Sequence, residues 1–111
     1  MSFAVSPEQE ELRQTVRRFL AEKSPIATVR RLMTTDRGFD DGVWSQMAEQ
    51  IGLQGLIVPE AHGGAGMGPI ELAIVLEEMG RVLFCAPYLS TVLATQTLLR
   101  AGSEAAQAEL L

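Results

Sequence analysis

Apolar residues recur at helical spacing along most of this chain. Leu12, Val16, Phe19 and Leu20 fall on one face of a stretch that opens with Ser6-Pro7-Glu8-Gln9. Ser6 suits an N-cap, Pro7 the first helical position, and Gln9 the place where a capping box puts Glu or Gln. Glu8, Glu10 and Glu11 favour the positive end of the helix dipole. These signals predict a helix over 7–23, ended by Ser24-Pro25. A short second helix is predicted over 26–33 with Ile26, Val29 and Met33 inward, followed by a polar connector over 34–39. Asp40 or Asp41 caps a third helix. Its apolar positions are Val43, Trp44, Met47, Ala48 and Ile51, and Gly52 stops it.

Beyond Gly52 the pattern changes. An apolar run, read as extended, ends at Pro59; a glycine-rich loop follows; Pro69 then opens a fourth helix over 69–83. Its charged residues, Glu71, Glu77, Glu78 and Arg81, share roughly a third of the circumference at ~100° per residue. A helix this apolar is expected to be buried on most sides and central to the domain. Glu77 and Arg81 stand four apart in the favourable order for a pair. A fifth helix is predicted over 88–101, opened by Pro87 and stopped by Gly102, and Ser103 caps a sixth from Glu104. The sixth has no stop signal before Leu111, which suggests a cut chain. The fold class expected is all-α, an up-and-down bundle of about five to six helices.

Composition narrows the function. At 111 residues there is room for one domain and one core. Aromatics are 5% of residues, so aliphatic side chains must fill that core. The net charge is −5 with both signs spread along the chain and no basic cluster, which argues against nucleic acid and against a polybasic membrane contact. The N-terminus turns polar after five residues, unlike a signal peptide, and no apolar run is long enough to span a bilayer. A single cysteine, Cys85, rules out an internal disulfide, and a cytoplasmic location is the expectation.

Glycines before a helix can present N–H groups to an anion. Here no lysine followed by Ser or Thr completes a P-loop, and Gly64-Ala65-Gly66-Met67-Gly68-Pro69 misplaces the third glycine of a dinucleotide fingerprint. Around twenty residues further on there is no carboxylate to meet a ribose. A tight reversal, with glycines supplying positive φ, is the better reading.

In order along the chain, several motifs resemble the N-terminal helical domain of the acyl-CoA dehydrogenase family. They are an opening amphipathic helix over 3–19, Trp44 through Gln50-Ile51-Gly52, and Gly55-Leu56-Ile57-Val58-Pro59-Glu60 with Gly63-Gly64-Ala65-Gly66. Glu71 with Glu77-Glu78-Met79-Gly80-Arg81, and Gly102-Ser103 with Leu110, complete the set. The resemblance implies a flavoenzyme that desaturates acyl-CoA thioesters. A carboxylate takes the α proton and a hydride passes from the β carbon to FAD. It implies that this chain is the first of three domains, with the β domain and a second helical domain absent. The catalytic base and most flavin contacts then lie elsewhere, and FAD is expected in the complete enzyme but not on this chain alone. Expected partners are the acyl-CoA substrate and flavin-binding domains of the same or a partner subunit, in a homo- or hetero-oligomer. An alternative is a helical interaction module that docks on a separately encoded flavin-binding partner.

By the same resemblance, acyl-chain contacts are expected at Tyr88, Ser90, Thr91 and Val92. The alternative is that Tyr88 and Val92 are core and that Ser90 and Thr91 satisfy nearby carbonyls. His62 reads as a solvated loop residue and cannot make a metal site alone. Cys85 reads as a buried, inert thiol. Glu77 and Glu78 point apart on a helix, so an ion pair with Arg81 or another helix is expected rather than a catalytic pair. Arg13, Arg17 and Arg18, and Arg30 with Arg31, are expected on solvated faces; the alternative is a domain contact or an acidic partner protein.

Overall fold

The computed structural model of the chain describes residues 6–111. Among them are six α-helices, two single 3-10 turns and no strand. The helices are α1 (Pro7–Lys23), α2 (Ile26–Leu32), α3 (Asp41–Gln50), α4 (Pro69–Arg81), α5 (Tyr88–Ala101) and α6 (Glu104–Leu110); the 3-10 turns are Leu53–Gly55 and Glu60–His62. The part of the opening motif that includes Phe3 lies outside the described residues. Contacts sort the chain into two compact units, one of residues up to Asp40 with Pro69–Cys85, the other of Asp41–Gly68 with Ala86–Leu111.

In the first unit α1 starts as its sequence predicts. The Ser6 Oγ accepts from the Gln9 N–H at 3.1 Å, and the Gln9 Oε1 accepts from the Ser6 N–H at 2.9 Å. α1 buries Val16, Phe19 and Leu20, and α4 packs against it with Leu72, Ile74, Val75 and Met79 buried. Two expectations change here. α2 buries Val29 and Leu32, while Ile26 and Met33 stand exposed, Met33 at 72%. Leu32, three positions after Val29, takes the inward place expected of Met33, although Met33 keeps helical geometry and its N–H donates to the Val29 carbonyl at 3.0 Å. α4 is also less enclosed than its composition suggests, with an outer stripe of Ile70, Ala73, Glu77 and Gly80 exposed.

In the second unit α3 ends at Gln50 and the chain turns off at Gly52, whose φ of 63° is the left-handed conformation that glycine adopts without penalty. The segment read as extended is instead two 3-10 turns joined through Pro59. It has no neighbouring strand to satisfy its backbone, so it bonds to itself and to the glycine loop. Leu53, Leu56 and Val58 are buried there. α6 is capped by the Ser103 Oγ, which accepts from the Ala106 N–H at 3.1 Å.

Candidate functional site

The glycine loop is closed on itself. The N–H groups of Gly63 and Gly64 donate to the carbonyls of Glu60 and Pro59, and those of Ala65, Gly66 and Met67 to the carbonyls of Gly55, Val58 and Leu56, all at 2.9–3.2 Å. Five successive amides are thereby committed inward, so this loop offers no seat for a phosphate or a flavin pyrophosphate. Gly64 is obligatory for the packing: a Cβ there would stand 2.1 Å from the Val58 carbonyl oxygen. The expected tight reversal is what the chain builds.

α5 has two different faces. Tyr88, Val92 and Thr95 are buried. The Tyr88 hydroxyl donates to the Leu53 carbonyl at 2.8 Å, and burial pushes its pKa up to about 12. The Ser90 and Thr91 hydroxyls both donate to the Pro87 carbonyl, at 3.1 and 2.7 Å. On the outer face Leu89 and Leu93, one turn apart, are each 59% exposed. Sequence reasoning passed over these two leucines, and their i, i+4 spacing on a face that also carries Ser90 and Thr97 was the signal available. Of the four expected contact residues, then, Ser90 is exposed and Thr91 partly buried, while Tyr88 and Val92 are inside.

Thr91 and Thr95 line a cavity of about 330 Å³ with Gln54, His62 and Gly64. His62 is therefore half-buried rather than fully solvated. The Gln54 Nε2 donates to the Trp44 carbonyl at 2.8 Å, and its Oε1 is buried with no hydrogen-bond partner. Cys85 is partly buried, its thiol 3.6 Å from the Leu83 carbonyl. Among the described residues no group of three His, Cys, Asp or Glu could hold a metal, and no helix is long and apolar enough to cross a membrane.

The charged residues with the strongest geometry lie in the first unit and form a clasp. Glu78 is 1% exposed. Arg17 grips it with two bonds, Nε to Oε1 at 2.8 Å and Nη2 to Oε2 at 3.1 Å. Arg13 reaches Oε2 at 2.7 Å and Arg81 reaches Oε1 at 2.9 Å. The hydrogen bond from Arg17, with those from Arg13 and Arg81, outweighs burial and holds the Glu78 carboxyl at a pKa of about 2. The bonds to Glu78 raise Arg13 and Arg17 in turn. Two expectations are corrected. Arg13 and Arg17 are not simply a solvated face, because a buried carboxylate on α4 draws them in. Glu77 and Glu78 do form the expected ion pairs with Arg81 and another helix, but Arg81 pairs with Glu78 and not with Glu77, which takes Arg13 at 3.0 Å. All four acceptor sites of Glu78 are filled, so this is a structural joint and not a free general base.

Comparison with known proteins agrees with the geometry. The family profile described as "Acyl-CoA dehydrogenase, N-terminal domain" matches residues 6–111. A curated relative, acyl-CoA dehydrogenase IpdE2 of Mycobacterium tuberculosis, is 43% identical over 101 residues, which cover 91% of this chain and 32% of the relative. The chain thus spans about a third of the length of that relative. Among solved structures, the ChsE4-ChsE5 complex from Mycobacterium tuberculosis matches with a TM-score of 0.85 at 30% identity, covering 98% of this chain and 30% of that one. The Tcur3481-Tcur3483 steroid ACAD G363A variant matches with the same score and identity, covering 96% of this chain and 29% of that one.

Proposed function

The chain belongs to the acyl-CoA dehydrogenase family, and on that footing we propose that it is the N-terminal helical domain of an enzyme that desaturates acyl-CoA thioesters, with the outer face of α5 as one wall of the acyl pocket. The observation that carries this is the exposed pair Leu89 and Leu93 on a helix whose opposite side is buried. Two large apolar side chains left in water on a folded helix mark a surface that meets an apolar ligand or partner. The charge of the second unit supports the same end of the substrate. It holds one cation, Arg100, against Asp41, Glu49, Glu60, Glu104 and Glu109, a poor surface for the phosphates of coenzyme A and an indifferent one for an acyl chain. Ser90, beside the leucines, and Thr91 then edge the wall, while Tyr88 and Val92 fix the helix from behind.

In the complete enzyme a bound FAD would supply the hydride acceptor for desaturation. On this reading the base and the flavin's phosphate seat come from elsewhere in the enzyme, and the described residues of this chain shape the pocket and keep water from it. Alone, the chain is expected to be catalytically silent. A second reading, a subunit that works paired with a separately encoded flavin-binding partner, is favoured by the two-protein structures it matches. Both readings share one test. In the complete enzyme that carries this chain, Leu93→Glu should lower kcat/KM for long acyl thioesters at least about tenfold, short ones much less, with flavin content unchanged. An unaltered chain-length profile would sink the pocket-wall role, and stoichiometric FAD on the isolated 111 residues would sink the silent one.

A further inference from the structure

The first unit has a groove that the acyl-pocket reading does not use. It measures about 280 Å³ and is walled by Ala21 and Pro25, by Ile26 at the start of α2, and by Val82 and Leu83 just after α4. Ile26 is 57% exposed and Leu83 is 63% exposed. The exposure of Leu83 is built into the backbone. α4 ends in a Schellman turn, in which the Leu83 N–H donates to the Gly80 carbonyl at 3.3 Å and the Phe84 N–H to the Met79 carbonyl at 3.0 Å. The left-handed position of such a turn usually holds glycine; here Leu83 occupies it with a φ of 53°. A large apolar side chain is held in water, in a disfavoured conformation, beside an open apolar groove.

The rim of the groove is cationic, although the chain carries −5 overall. Arg81 lines the groove and belongs to a clasp in which three arginines meet Glu77 and Glu78, an excess of one positive charge. Arg18 lies one turn before Ala21 on α1, and Arg30 one turn after Ile26 on α2. Both are exposed, and neither pairs with a described carboxylate. Glu22, next to Ala21, already faces Lys23 at 3.4 Å.

We propose that this groove docks a segment of another polypeptide in which a large apolar side chain is flanked by carboxylates. The apolar side chain fills the space between Ile26 and Leu83, and the carboxylates meet Arg18, Arg30 and Arg81. Charge selects this occupant. A basic segment is repelled, and a second copy bound through the same face would set the same arginines against one another. The inference stands apart from the acyl-pocket reading, which rests on α5 in the other unit.

The probe is a capped, alanine-based helical peptide with one leucine between two glutamates; a control peptide carries lysines in their place. Titrated at low salt into the isotope-labelled chain, the glutamate peptide is expected to shift the amides of Ala21, Ile26, Val82 and Leu83. It should bind at least about tenfold more tightly than the lysine peptide. Arg30→Glu, an exposed substitution, should shrink that preference to about threefold or invert it. Leu83→Gly keeps the turn and removes only the side chain, and should weaken binding about tenfold. The proposal fails if the two peptides bind alike, if neither moves these amides, or if Leu83→Gly binds as tightly as the parent.

Discussion

In one unit a single buried carboxylate gathers three arginines from two helices; in the other a buried phenol donates to a backbone carbonyl and a glycine loop closes through its own amides. Both units bury polar atoms, and both satisfy nearly all of them, but with different chemistry. The first joins residues more than 60 positions apart through charge. The second holds short-range turns through backbone geometry and has little charge to use, with Arg100 its one cation. A unit held by ion pairs depends on protonation; a unit held by backbone contacts depends on the absence of a few Cβ atoms. The two should therefore fail under different conditions.

The largest effect is expected from Glu78→Ala. It leaves Arg13 and Arg17 without their buried partner and should cost about 3–5 kcal/mol, read by denaturant unfolding. Amide exchange should show α1 and α4 losing protection before α5 does. The wild-type chain should show the same weakness in acid. The Glu78 pKa is about 2 when folded against an ordinary value of 4.5. Its contribution, about 3 kcal/mol, is thus complete above pH 4.5 and lost as pH falls toward 2. If the exchange rates of both units rise together in acid, the contrast between them is broken.

Gly64→Ala tests the second unit, at a cost of about 3 kcal/mol, because the new Cβ meets the Val58 backbone and not a side chain that could swing away. The first unit's amide exchange should be the less affected. Tyr88→Phe should cost about 1 kcal/mol, since the Leu53 carbonyl keeps a second donor in the Leu56 N–H. Its sharper signature is alkaline. With a folded pKa of about 12 against 10, the contribution of Tyr88 is complete below pH 10 and lost as pH rises through 12. The Phe variant should lack that component of the alkaline loss. The smallest effect is a gain: Leu83→Gly should relieve the left-handed strain and stabilise the first unit by no more than about 1 kcal/mol.

Much of the helical layout was legible before any packing was considered. The Ser6-Pro7-Gln9 cap fixed the start of α1, Pro87 and Gly102 bracketed α5, and Gly52 ended α3, since each signal acts within a few residues. The motif order likewise carried the family. The candidate site was legible only as a segment. The resemblance pointed to Tyr88, Ser90, Thr91 and Val92 and periodicity located α5, but neither showed which face of the helix would stay in water, where Leu89 and Leu93 stand.

The amino-acid sequence by itself determined where the six helices begin, which family the chain belongs to, and that the glycine loop reverses the chain; the ends of α2 and α4, expected at Met33 and Leu83, fall at Leu32 and Arg81. Tertiary structure alone decided the partners of the charges. Local spacing favoured Glu77 with Arg81, an exposed helical pair worth only about 0.5 kcal/mol. Packing of α1 on α4 instead buries Glu78, and a carboxylate removed from water needs every acceptor site filled. That demand draws Arg13 and Arg17 across from the far end of the sequence and turns Arg81 by one residue. No local pattern encodes it, because the cost being offset arises only when the two helices meet.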